Sequence, residues 1–154
     1  MFRRLQRLTL PVVAIMVVAA GSLTTAQKPY PIFTLDDYVS AMKGVGRAFG
    51  VVTLSLAKND FETAKSQLVL ARQRLAVTIT FWRDHKKDDA LKMLRDTLTK
   101  MDDLDAVLSA EKVDAAAASD LLKQVNAGCQ SCHLVYRDQD PTTKAFRLKP
   151  GSVQ

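Results

Sequence analysis

Apolar residues recur along most of the chain at steps of three and four, the spacing that sets side chains on one side of an α-helix. The first such stripe runs through Leu35, Tyr38, Met42, Val45, Phe49, Val52 and Leu56. Thr34 stands before it as a cap, and Asp36 and Asp37 place negative charge in the first turn, where the helix dipole favours it. Lys58-Asn59-Asp60 interrupts the pattern, and Asp60 can cap a second helix whose stripe is Phe61, Ala64, Leu68, Ala71, Leu75, Ile79 and Trp82. The polar run from Arg83 to Asp89 predicts a short connection, after which Leu91, Leu94, Leu98, Met101, Leu104 and Leu108 give a third stripe. A fourth begins near Asp114, crosses Ala115 to Ala118 and carries Leu122, Val125, Cys129, Cys132 and Tyr136 until Asp140-Pro141 ends it.

Helical stripes joined by short connections favour antiparallel neighbours. The expected fold is therefore all-α, an antiparallel up-down-up-down four-helix bundle over residues 34–140, a fold that houses cofactors between facing helices. Residues 27–33, with Pro29-Tyr30-Pro31, read as a linker, and residues 141–154, with Pro150-Gly151, as an irregular tail.

The N-terminus has a different grammar. Arg3, Arg4 and Arg7 precede an apolar run from Leu8 to Ala20, followed by the small and polar Gly21 to Ala26. This is the three-part layout of a cleavable secretory signal peptide over residues 1–26. The run is shorter than the ~20 apolar residues a spanning helix needs, so export and cleavage near Ala26 are expected over membrane anchoring. Without the three leader arginines the net charge of +6 falls to about +3, too little to argue for nucleic acid. Lys144, Arg147 and Lys149 in the tail remain a modest basic patch, suited to an acidic redox partner.

The chain holds two cysteines and two histidines, and three of these four fall together in Cys129-Gln130-Ser131-Cys132-His133. C-x-x-C-H is the attachment pattern of c-type haem. Two thiols add to the two haem vinyl groups, and the neighbouring imidazole reaches the iron from the same side. On a helix Cys129 and His133 share a face and Cys132 lies on its flank, so one turn can present all three to one macrocycle. Two other uses of the pattern fit less well. A thioredoxin-like pair belongs at a helix start near a βαβ unit, and no strand pattern is present. A zinc site needs about four ligands, and only His85 is left among the usual nitrogen and sulfur donors. Export agrees with the haem reading, because covalent attachment in bacteria takes place outside the cytoplasmic membrane; a periplasmic location follows.

With the stripes and the segment Cys129-Gln-Ser-Cys132-His133-Leu-Val-Tyr136-Arg137 in view, the chain resembles the cytochrome c′ family, four-helix-bundle c-type cytochromes with C-x-x-C-H near the end of the last helix. The likeness covers roughly Leu35 to Arg137. It implies one covalent haem c held by Cys129 and Cys132, His133 as the proximal iron ligand, and Arg137 near the haem edge. The chain departs from the family in its short connection after Trp82 and its longer tail.

In this family the first helix crosses the distal face, and some members supply a methionine to the iron while others leave the site open. Ala41-Met42-Lys43-Gly44-Val45-Gly46 resembles the methionine-ligated branch, which makes Met42 the expected distal ligand. Gly44, Gly46 and Gly50 each cost about 1 kcal/mol in a helix interior, and Gly46 and Gly50 share the face of Met42. They allow a flat macrocycle to approach closely; the same Gly-x-x-x-Gly could instead serve helix packing. Met93, Met101 and His85 are weaker candidates. His/Met ligation raises the potential of the iron and suits an electron carrier without enzymatic activity. The alternative is a five-coordinate haem binding nitric oxide or carbon monoxide. Tyr38 and Lys43 are the nearest polar residues on the first helix; Tyr38 is expected to cap the core with its hydroxyl outward and Lys43 to reach solvent or a haem propionate. The expected partners are redox proteins, and the family likeness also allows a homodimer.

Overall fold

Helix α1 (Leu35–Leu56) begins where the side chain of Thr34 accepts from the Asp37 amide at 3.1 Å, and the Thr34 hydroxyl donates back to Asp37 Oδ2 at 2.7 Å. This reciprocal cap satisfies donors that the first turn leaves free. Asn59 turns the chain with φ 56°, a left-handed conformation that asparagine tolerates better than most residues. Asp60 then caps α2 (Phe61–Ala76) by accepting from the Thr63 amide at 3.1 Å. A short α3 (Ile79–Asp84) leads through Lys86, also at positive φ, into α4 (Asp88–Leu108). Asp114 opens α5 (Ala115–Tyr136), accepting from the amides of Ala116 and Ala117 at 2.9 and 3.1 Å. The computed structural model describes residues 34–153; the leader expected at 1–26 and the linker at 27–33 lie outside the described residues.

The second stripe, expected to run unbroken from Phe61 to Trp82, is divided at Val77-Thr78. Val77, Thr78, Ile79 and Thr80 form a run of four β-branched residues, each stiff at χ1 and crowded against the preceding turn. The buried Thr78 hydroxyl donates to the Leu75 carbonyl at 2.7 Å, and the Thr78 amide bonds that same carbonyl at 3.1 Å. Side-chain competition for a backbone acceptor is what bends or breaks a helix at threonine. The break re-aims α3, so that Phe81 and Trp82 are almost fully buried.

The protein is mostly helical, with α1 packed along α2, α2 on α4, and α4 along α5. Each interface is the stripe of the sequence: Val52 from α1, Ala64, Leu68 and Ala71 from α2, Leu94, Met101 and Leu104 from α4, and Ala118 and Val125 from α5 are buried together. Fully burying a valine, leucine or methionine side chain such as these stabilises by about 1.5–3 kcal/mol, and an alanine methyl by less. Arg72 and Asp102 tie the outer faces of α2 and α4 in a two-point ion pair, one contact being Nη2 to Oδ2 at 2.8 Å. In contrast, α1 meets α5 over only a short stretch. Among the described residues no helix is long and apolar enough to cross a membrane.

The C-terminal end differs from expectation. Helix α5 stops at Tyr136, not at Asp140, and the segment expected to be an irregular tail supplies a return strand. β1 (Arg137–Gln139) pairs antiparallel with β2 (Phe146–Leu148), with Arg137 opposite Leu148, Asp138 opposite Arg147 and Gln139 opposite Phe146. Asp140 organises the turn by accepting from the amides of Thr142 and Thr143 at 2.9 and 2.8 Å. The hairpin also caps α5, since the Lys149 amide bonds the Tyr136 carbonyl at 2.8 Å and Lys149 Nζ donates to the Leu134 carbonyl at 2.7 Å. These are carbonyls the last helical turn leaves unpaired.

Candidate functional site

Where α1 and α5 part, a cavity of about 520 Å³ opens, walled by α1, α5, Trp82 of α3, Leu94 and Thr97 of α4, and the return strand of the hairpin. Its lining is mainly apolar, and its volume lies in the roughly 300–1,000 Å³ typical of cofactor sites. Cys129, Cys132 and His133 all line it from α5, and Met42 lines it from α1. The sequence-predicted site residues are therefore brought to one chamber, joined by Arg137 at its edge.

The thiols are half-buried and unbridged. Burial pushes the Cys129 thiol up, and burial together with nearby Cys129 and Asp89 pushes Cys132 up to about 11. Both sit in the final turns of α5, where the helix dipole opposes negative charge. A thioredoxin-like pair requires a helix N-terminus and a depressed thiol pKa; this site has neither. His133 is held below its ordinary pKa by burial and by Arg137, so its imidazole is kept neutral, the state that binds metal. Its Nδ1 is buried without a hydrogen-bond partner among the described residues, which costs about 1–3 kcal/mol. Among the described residues no group of three or more His, Cys, Asp and Glu side chains is gathered as a bare ion would need.

Aromatic rings frame the chamber. Tyr38 stacks on Phe81 with centroids 4.5 Å apart and meets the edge of Trp82 at 5.2 Å. Trp82 in turn packs on Tyr136 at 4.6 Å. The Tyr136 hydroxyl donates to Asp89 Oδ1 at 2.6 Å, pinning the last turn of α5, with its C-x-x-C-H, to the first turn of α4. That bond draws the Asp89 carboxyl below its usual range, and burial with the same carboxylate drives the Tyr136 phenol up. Tyr38, expected at the edge of the core, is buried in it and lines the chamber, and burial raises its pKa, with Cys132 adding to the rise. The triplet Phe81, Trp82 and Tyr38 could be placed only once the break at Thr78 was known.

The other candidates separate cleanly. Met93 lines the cavity from α4, although its position off the third stripe argued against it. Met101 is core and stands away from the cavity lining, and His85 caps α3, its Nδ1 2.8 Å from the Phe81 carbonyl and its ring against Phe81. Lys43 is exposed at the cavity mouth. Gly46 lines the chamber, and a Cβ there or at Gly50 would meet nothing within 4 Å, so among the described residues no helix packs closely on either. Gly44 instead faces Arg74 of α2. Gly128 carries an unforeseen role: a Cβ there would overlap the Thr97 hydroxyl and lie 3.3 Å from Thr97 Cβ, so glycine lets α5 approach α4 beside Cys129. Arg137 rests over the Phe146 ring, 4.2 Å from its centroid, a cation–π contact that fixes the guanidinium at the rim.

Compared with family models, with curated proteins and with solved structures, the chain matches none.

Proposed function

We propose that the protein is an exported, periplasmic c-type cytochrome of the cytochrome c′ kind, a four-helix bundle enclosing one covalent haem c, that carries electrons and has no enzymatic activity of its own. The observation that carries this reading is the meeting of Cys129, Cys132, His133 and Met42 on the wall of one apolar chamber. The donor set fits the group. Two thiols three residues apart on one helix can each form a thioether, and the next residue is an imidazole whose buried Nδ1 has no hydrogen-bond partner among the described residues. When bound, haem c supplies a one-electron iron couple inside an otherwise redox-inert chain.

The residues of the chain do the rest. Cys129 and Cys132 hold the macrocycle, His133 donates a ring nitrogen, and Met42 offers a thioether sulfur from α1. His/Met ligation favours the reduced iron and raises the potential. Val39, Val45, Phe49, Leu75 and Trp82 give the chamber an apolar lining, and Arg137 with Lys43 supplies positive charge at its rim, where the propionates of a haem would be neutralised.

Replacing Met42 with Leu tests the distal assignment. The reduced wild type is expected to ignore carbon monoxide, and the Met42→Leu protein to bind it with a shifted Soret band. The same gas response in both proteins removes Met42 from the iron. If carbon monoxide and nitric oxide bind the wild type, the site is open and the protein is a gas-binding cytochrome c′. If neither form responds, Met93→Leu is the next variant, because Met93 shares the chamber.

A further inference from the structure

One face of the molecule leaves large apolar side chains in water beside the candidate haem ligand. Leu134 is 76% exposed and Phe146 57%, with Val135 exposed next to them. Leu134 follows His133 in sequence, and both residues, with Phe146, Arg137 and Gln130, line a surface depression of about 280 Å³. His133 is therefore a wall shared by two spaces, the inner chamber and this outer depression.

The rim of the depression is charged. Arg137 and Asp138 line it, and the rest of the hairpin and its continuation carry Lys144, Arg147 and Lys149 against Asp140, with Arg147 bonding both aspartates. Among the described residues the ammonium groups of Lys144 and Lys149 donate to the Pro141 and Leu134 carbonyls and pair with no carboxylate. The face is thus an apolar centre beside a net positive hairpin segment, held in place by the hairpin's pairing and by its cap on α5. Apolar contact gives a docking surface its affinity, while a border of one sign selects and steers an oppositely charged partner.

We propose that electrons enter and leave through this face, and that its occupant is a redox protein presenting an apolar contact bordered by carboxylates. The proposal rests on the electron-carrier reading above. The hairpin serves here both as the cap of α5 and as the charged border of the docking face.

The test uses the haem-loaded protein and two apolar one-electron oxidants of different charge that stand in for such a contact: the ferrocenium forms of ferrocenecarboxylate, a zwitterion of net charge zero, and of (ferrocenylmethyl)trimethylammonium, a dication that a positive face repels. Each accepts one electron from the reduced protein, and stopped-flow absorbance reads the rate. The charge-dependent preference of the wild type for the carboxylate probe is expected to be roughly tenfold at low salt, the low end of electrostatic steering. It should vanish near about 1 M salt, where the screening length is about 3 Å. Lys144→Glu, alone and with Lys149→Glu, should abolish or invert the preference. Leu134→Ser with Phe146→Ser should slow both probes several-fold relative to hexacyanoferrate, which has no apolar body.

Unchanged preferences in the lysine variants, with wild-type visible spectra and circular dichroism, overturn the proposal while leaving the haem reading intact. A dimer in sedimentation that Leu134→Ser with Phe146→Ser dissolves also overturns it, because the occupant is then a second copy. Absence of a haem spectrum in the wild type instead refutes the functional reading itself.

Discussion

Gly128 and Gly50 lie in the interiors of two helices, and the structure predicts opposite consequences for the same substitution. Gly50 is exposed, and a Cβ there meets nothing within 4 Å. Gly50→Ala should therefore stabilise by the helix-propensity gain alone, about 0.5–1 kcal/mol. Gly128→Ala gains the same propensity, but its Cβ would overlap the hydroxyl of Thr97 and lie 3.3 and 3.4 Å from its Cβ and Cγ2. Thr97 is buried, stiff at χ1, and commits its hydroxyl to the Met93 carbonyl at 2.8 Å, so it cannot swing aside without losing that bond. Overpacking of this kind costs about 1–3 kcal/mol, leaving Gly128→Ala destabilised by up to about 2 kcal/mol. Equilibrium urea unfolding followed by circular dichroism, with all variants in the same state of haem loading, measures both. The double variant with Thr97→Ala should recover most of the Gly128→Ala loss, since the two residues touch and their effects are not additive. Equal stability changes at Gly50 and Gly128, or no recovery in the double variant, would refute the close approach of α4 and α5 at Cys129.

Three further outcomes are expected. Tyr136→Phe removes the hydroxyl that bonds Asp89 at 2.6 Å; because Asp89 is exposed and regains water, the loss should be about 1 kcal/mol at neutral pH. The same bond lowers the Asp89 pKa in the folded protein, so its contribution is present above the ordinary aspartate pKa and fades as pH falls through the depressed value. The gap between wild type and Tyr136→Phe in urea midpoint should accordingly close in acid, and a gap that stays constant to the lowest workable pH contradicts the pairing. Cys129→Ser with Cys132→Ser should leave no haem on the polypeptide in a denaturing gel stained for haem peroxidase activity, whereas retained stain contradicts the thioether anchors. Gly46→Leu should fill the chamber from α1 and cut haem incorporation several-fold with little change in helix content, and normal incorporation would show that the macrocycle does not lie against Gly46.

The long helices were legible because their stripes are regular and their caps chemically explicit. Thr34, Asp60 and Asp114 begin helices where the sequence places them, and the stripe positions, apart from the exposed Leu35, are buried in the core or packed against it. Helical period put Met42, Cys129 and Cys132 each on an inward stripe, but the expectation that Met42 meets the C-x-x-C-H turn came from the family resemblance, because the pattern does not say that α1 faces α5. The break at Thr78 was not, because the apolar pattern runs on through it, and only the local competition of threonine hydroxyls for backbone carbonyls stops the helix. The hairpin was missed because strands of three residues show too little alternation to be read, although Asp140-Pro141-Thr142 was a visible turn signal. Met93, Tyr38 and Gly128 depended on which helices pack together, which the pattern on any one helix leaves open.

The central claim, that Cys129, Cys132 and His133 hold a haem whose sixth site Met42 fills, is tested most directly by the visible spectrum of the protein made with haem-attachment machinery, oxidised and reduced, with and without carbon monoxide. Sharp reduced bands indifferent to the gas, with a weak oxidised band from methionine-to-iron charge transfer, are the predicted result. A protein purified without any haem spectrum would contradict the account.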